Sequence, residues 1–195
     1  MDKTNLKLVK EYNILEDKKI AIWLNVASFI IMIPMFILFF GVAVIIQPIV
    51  QPLVFGDTQS IWTFILPIII LFLVVVVHEG IHGLFFKLFN PKGRVEFGLK
   101  GGFAYAVSEG SIYTKGQMNI IGMAPFVIIS ILFTLAYVFG FMSSVTYVMY
   151  AGLHGAMCIG DLWYLYLLTV KHRGTVYVED TKQGITIYEP LNKTS

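Results

Sequence analysis

Residues 61–89 read IWTFILPIIILFLVVVVHEGIHGLFFKLF, and the fold turns on how this stretch is taken. From Ile61 to Val77 it is almost wholly apolar, and with its continuation to Phe89 it exceeds the roughly 20 residues that a helix needs to cross a bilayer. Within that same helical run stand His78, Glu79 and His82. Ionisable side chains are expensive at membrane depth, so each one found there is a functional candidate. The stretch therefore reads as a membrane span that carries chemistry.

The rest of the chain fits such a setting. Of 195 residues, 57% are hydrophobic and only 13% charged; a soluble domain carries about a quarter charged residues. Three further apolar segments are long enough to cross: about 22–46 with Pro34 inside it, about 118–141, and about 145–170. Only Met142–Ser144 separate the last two, which makes them an antiparallel hairpin. The expected fold is an all-α polytopic membrane protein of four transmembrane helices, forming a single domain over 1–195. A small cytoplasmic β-hairpin element interrupts it, where VEFGL and FAYAV alternate around Lys100-Gly101-Gly102. The tail from Arg173 to Pro190 adds two strand-like runs, to pair with each other or with that hairpin. The residues before the first span place Leu6, Val9 and Tyr12 at helical spacing, and read as a surface helix or a frayed tail.

Lysine and arginine sit in the N-terminal segment, in 90–117 and after Lys171, and are absent from 47–60 and from Met142–Ser144. By the positive-inside rule both termini are cytoplasmic in a multi-pass protein of the cell membrane. The net charge of +2 suggests no nucleic acid partner. Cys158 is the only cysteine, which excludes an internal disulfide and any cysteine-based structural zinc site.

His78-Glu79-Gly80-Ile81-His82 is an H-E-x-x-H pattern. On a helix, positions i and i+4 lie one above the other, so two imidazoles can share one zinc ion while the adjacent glutamate takes a proton from a metal-activated water. A catalytic site wants a third protein ligand. Counting 1.5 Å per residue inward from Ile61 and Val145 puts His78 and Asp161 at matching depths, about 25 and 24 Å from the outer face. Asp161 is therefore read as the third ligand, or as a carboxylate that orients an imidazole. His154, two turns before Asp161, is an alternative ligand, a donor to an oxyanion, or a partner in an interhelical hydrogen bond. Cys158 packs as a small apolar residue or faces the site. Asn119 opens the third span, and Pro125 in its first turns frees backbone carbonyls near the level of the site, there to hold substrate or simply to kink the helix.

HEGIHGLFFKLF after an apolar helix, MNIIGMAPF at the entry to a later span, and Gly160-Asp161 before a basic, strand-like tail resemble the "putative zincin peptidase" family of bacterial membrane proteins. That domain-of-unknown-function family is similar in plan to the site-2 intramembrane proteases. The resemblance runs from about Leu71 to Tyr188. It implies a metallopeptidase with His78 and His82 as zinc ligands, Glu79 as acid/base and Asp161 completing the site. Site-2 proteases carry their aspartate in a Leu-Asp-Gly context with Asn-Pro on the same helix. Here the order is Gly160-Asp161-Leu162, and Asn119 and Pro125 stand on another helix.

The expected function is zinc-dependent hydrolysis of a peptide bond in a membrane protein or peptide substrate, in or near the lipid bilayer. The segment from Gly98 to Gly110 would present the substrate as an added strand. The alternative is a non-catalytic membrane metal-binding protein with a structural or sensing role, whose site is closed by His154 or Cys158.

Overall fold

The computed structural model describes residues 3–13, 17–50, 62–100 and 103–191. Among these, the long apolar runs form helices α1 (Lys18–Ile46), α2 (Trp62–Phe89) and α3 (Lys115–Val138). Each is long and apolar enough to cross a membrane. Their large side chains are turned outward, as Phe29, Ile33, Ile37 and Phe40 of α1 are. A soluble protein would bury such a row, whereas lipid accepts it.

The fourth apolar stretch is not one helix. It is α4 (Ser144–Met157) followed by α5 (Ile159–Tyr166), broken at Cys158, and it counts as a span only if the pair is taken together. Before it, α3 ends in a Schellman turn. Phe141 N–H reaches the Ala136 carbonyl, Gly140 N–H reaches Tyr137, and Gly140 takes the left-handed φ of 77° that this turn requires. Ser143 then caps α4, its Oγ accepting from Thr146 N–H at 3.1 Å.

The β content exceeds a hairpin, so the all-α expectation is corrected. Strands β1 (Leu6–Asn13), β4 (Ile112–Thr114), β5 (Tyr177–Thr181) and β6 (Gly184–Pro190) form one antiparallel sheet in the order β1-β6-β5-β4. Strands β2 (Glu96–Lys100) and β3 (Phe103–Val107) form the separate hairpin, whose Gly101-Gly102 turn lies outside the described residues. Among the described residues the tail pairs with itself, with β4 and with β1, in a sheet separate from that hairpin. Residues 6–13 are a strand rather than a surface helix or a frayed tail. A register shift between Leu8 and Lys10 makes a bulge at Val9, and Tyr12 beyond it is buried.

The chain divides into two compact units. The first comprises 1–24, 79–125 and 160–195. Its core is Tyr12, Phe86, Tyr113, Met118, Ile121, Leu167, Leu168, Val176, Val178, Ile185 and Ile187, where the sheet's inner face meets the ends of α2, α3 and α5. Lys115 Nζ donates to the carbonyls of His172, Arg173 and Gly174, holding the exit from the last helical turn beside the start of α3. The second unit, 25–78 and 126–159, is an apolar bundle. There Gly152 and Gly155 of α4 admit Phe36 and Met35 of α1, each within 2.8 Å of where a Cβ would stand. Tyr147 is tied to Thr134 at 3.0 Å and stacked on Tyr137.

Candidate metal centre

The H-E-x-x-H motif lies in the C-terminal half of α2, and the boundary between the two units falls inside it, after His78. In the first unit, His82 is held at both ring nitrogens. Nδ1 lies 2.9 Å from the carbonyl oxygen of Ile121 in α3, and Nε2 lies 3.3 Å from Asp161 Oδ1 in α5.

Why that carbonyl is available follows from the sequence. In an α-helix the oxygen of residue 121 would accept from the N–H of residue 125, and residue 125 is proline, which has none. Pro125 thus leaves Ile121 a carbonyl to spend on His82. A carbonyl can only accept, so Nδ1 carries a proton, and Nε2 is the nitrogen left to face the carboxylate. Two electron-rich atoms 3.3 Å apart require a cation between them, either a proton or a metal ion. Zinc bonds of about 2.0–2.2 Å to nitrogen and oxygen in a tetrahedron put two ligand atoms roughly 3.3–3.5 Å apart, so this pair fits zinc. A backbone carbonyl on the far nitrogen is also the usual partner of a metal-ligating histidine.

This origin of the hydrogen bond is testable. Pro125→Ala restores an N–H that competes for Ile121 and loosens the His82 ring. Zinc affinity of the purified protein should weaken about tenfold, the low end for loss of an outer partner. Unchanged affinity in a competition titration against a chelator would show that Pro125 has no part in orienting His82.

Asp180 of β5 is a residue that sequence reasoning missed. It is buried in the first unit, within electrostatic reach of His82, Asp161 and Glu79. Burial drives its carboxyl well above the usual carboxylate range; His82 opposes that, and the negative charges of Asp161 and Glu79 add to it. An acid at the end of TVYVED carries no mark in the sequence of facing inward. Asn119 of α3 also belongs to this unit, and its buried Oδ1 has no hydrogen-bond partner among the described residues. The β2–β3 hairpin lies against α2 just past the motif: a Cβ on Gly83 would meet the Phe97 ring at 2.5 Å.

In the second unit, His78 is brought to the α4 pair. His78 Nδ1 lies 3.2 Å from His154 Nε2 and 4.0 Å from Cys158 Sγ, and that sulfur is 3.7 Å from His154 Nε2. His154 and Cys158 are one turn apart and fully buried. Cys158 ends α4, its N–H bonded to the His154 carbonyl at 3.2 Å. Cys158 therefore does more than fill space: it shares a polar cluster with two imidazoles.

Residues 71–176, more than half of the chain, match the model of the family described as "Putative zincin peptidase". The chain belongs to that family. No curated protein and no solved structure matches it. The zincin peptidase match takes in the motif, Asn119, Pro125, His154, Cys158 and Asp161, and stops short of Glu179, Asp180 and β6. Membership of a zincin peptidase family implies zinc and a metallopeptidase activity, and the histidine, cysteine and aspartate donors described above suit a metal.

Proposed function

We propose that this protein is a zinc-dependent peptidase that hydrolyses a peptide bond in or beside the membrane. His78, His82 and Asp161 are its metal ligands and Glu79 its general base. The observation that carries the reading is the His82–Asp161 approach, with the ring's other nitrogen committed to the Ile121 carbonyl. Helix geometry adds His78 as the ligand one turn before His82. Zinc, when bound, polarises a substrate carbonyl and acidifies water. Glu79, next to the first ligand, would take a proton from the attacking water and return it to the leaving amine. Asn119 Oδ1 is an acceptor for a substrate backbone N–H.

A transmembrane helix has its carbonyls tied up, so a substrate must be extended before water can attack it. The β2–β3 hairpin, packed on Gly83, offers an edge on which an extended segment can add as a strand. The sheet supports the proposed orientation. Strands before α1, between α2 and α3, and after α5 hydrogen-bond in one sheet, as an arrangement with all three segments on one side of a membrane requires. The basic flanks make that side the cytoplasm, with α4 and α5 together forming the fourth crossing.

A second reading, a metal site without catalysis, is favoured by one observation: the nearness of His154 and Cys158 to His78. Metal analysis separates the two. After a weak chelator has stripped looser sites, detergent-purified wild type should hold about one zinc per chain, and Asp161→Ala and His82→Ala less than about a tenth of that. Zinc retained in both variants would overturn the peptidase ligand set.

A further inference from the structure

The cluster of His78, His154 and Cys158 is unexplained by a ligand set that ends with Asp161. Its geometry is that of a coordination site. Zinc bonds of about 2.0–2.1 Å to nitrogen and 2.3 Å to sulfur in a tetrahedron put nitrogens roughly 3.3 Å apart and nitrogen and sulfur roughly 3.6 Å apart. The three separations are 3.2, 3.7 and 4.0 Å, with His154 and Cys158 shielded from solvent and lipid alike. The local cause is the helix break. It ends α4 at Cys158, and the i, i+4 spacing stacks that thiol on His154 while both meet the same nitrogen of His78.

We propose that His78 Nδ1, His154 Nε2 and Cys158 Sγ form a second, thiolate-containing metal position, and that filling it inhibits the peptidase. The inhibitory part rests on the proposed role of His78 as a catalytic ligand. A neutral imidazole offers one lone pair. A cation on Nδ1 leaves the proton on Nε2, and His78 is then lost to the set that contains His82. Binding of a divalent ion here displaces the thiol proton, which passes to solvent, and the sulfur stays in its reduced state. Two imidazoles and a thiolate suit soft or borderline cations such as cadmium, cobalt and zinc, and not magnesium or calcium.

The test is cobalt titration of the full-length protein in detergent, read by absorption. A thiolate-to-cobalt charge-transfer band should appear in wild type, be absent in Cys158→Ser, and persist in His82→Ala. Cys158→Ala repeats the measurement should the serine variant fold poorly. In the activity arm, cadmium beyond one equivalent should lower wild-type hydrolysis by about tenfold and Cys158→Ser by less than about twofold, as expected of a soft cation held by sulfur. A wild type without the band overturns the site. A band lost in His82→Ala overturns it as a separate position, because the thiol would then belong to the peptidase set. A band that survives in His82→Ala, with first-equivalent zinc also insensitive to His82 and Asp161, upholds the thiolate site while removing the catalytic one and with it the inhibition.

Discussion

Glu79→Gln should bind zinc at the wild-type level and hydrolyse an unfolded peptide substrate in detergent about 10²–10⁴-fold more slowly, the range for loss of a general base. The substitution keeps size and hydrogen-bonding shape but removes the atom that can take a proton. Metal content should not fall, because Glu79 lies about 100° around the helix from His78 and is outside the proposed ligand set. The two readouts must be taken together. Lost activity with retained zinc isolates proton transfer; lost zinc would make Glu79 part of the metal's hold; full activity would remove it from the chemistry.

The second large effect concerns the sheet. Glu179 of β5 is nearly sealed from solvent, and three donors converge on its carboxylate: Lys3 Nζ at 2.7 Å, Gly110 N–H at 2.9 Å and the Tyr188 hydroxyl at 2.9 Å. Those donors come from the segment before β1, the turn before β4, and β6. Burial by itself would raise the Glu179 pKa; the bonds from Lys3, Tyr188 and Gly110 outweigh it and hold the group below its ordinary 4.5. The Tyr188 phenol is pushed the other way, to about 12, by burial and by the charge it donates to. Glu179→Ala strands the Gly110 N–H and the Tyr188 hydroxyl, while the half-exposed Lys3 turns to solvent, and should cost about 2 kcal/mol of stability, measured by denaturant titration in detergent. Because the folded pKa is lowered, this contribution is present in full above about pH 4.5 and is lost as pH falls through the lower folded value. The gap between wild type and variant should therefore be constant at neutral pH and close in acid. A gap that widened in acid would mean that another group sets the difference.

The helices were legible because their evidence is local. Twenty apolar residues in a row permit few other structures, and H-E-x-x-H announces itself by spacing alone. Asp161 was named by depth counting, which assumed an unbroken rise from Val145 and so ran across the break at Cys158. His154 shows where counting fails. Rise along an unbroken helix puts it roughly 10 Å from the level of the site, yet its Nε2 lies 3.2 Å from His78. The strand at Leu6–Asn13 was illegible for a different reason. Its apolar spacing imitates a helix, and the partner that overrides it, β6, stands at the other end of the sequence. Asp180 was hidden likewise, because the parity of a strand cannot be read until its neighbours are known. Pro125 was read as freeing a carbonyl, but its taker, the ring of His82, is visible only in three dimensions.

The pairing of Leu6 with Pro190 sets an order of events during synthesis. Of the described strands β1 is made first and β6 last, so β1 must wait for β6 before it has a neighbour. Until then the acids of β5 have no sheet around them, and Asp180 cannot be shut in beside His82. Contacts this distant along the chain form late. The unit that holds His82, Asp161 and Asp180 is thus completed only after β6 has been made.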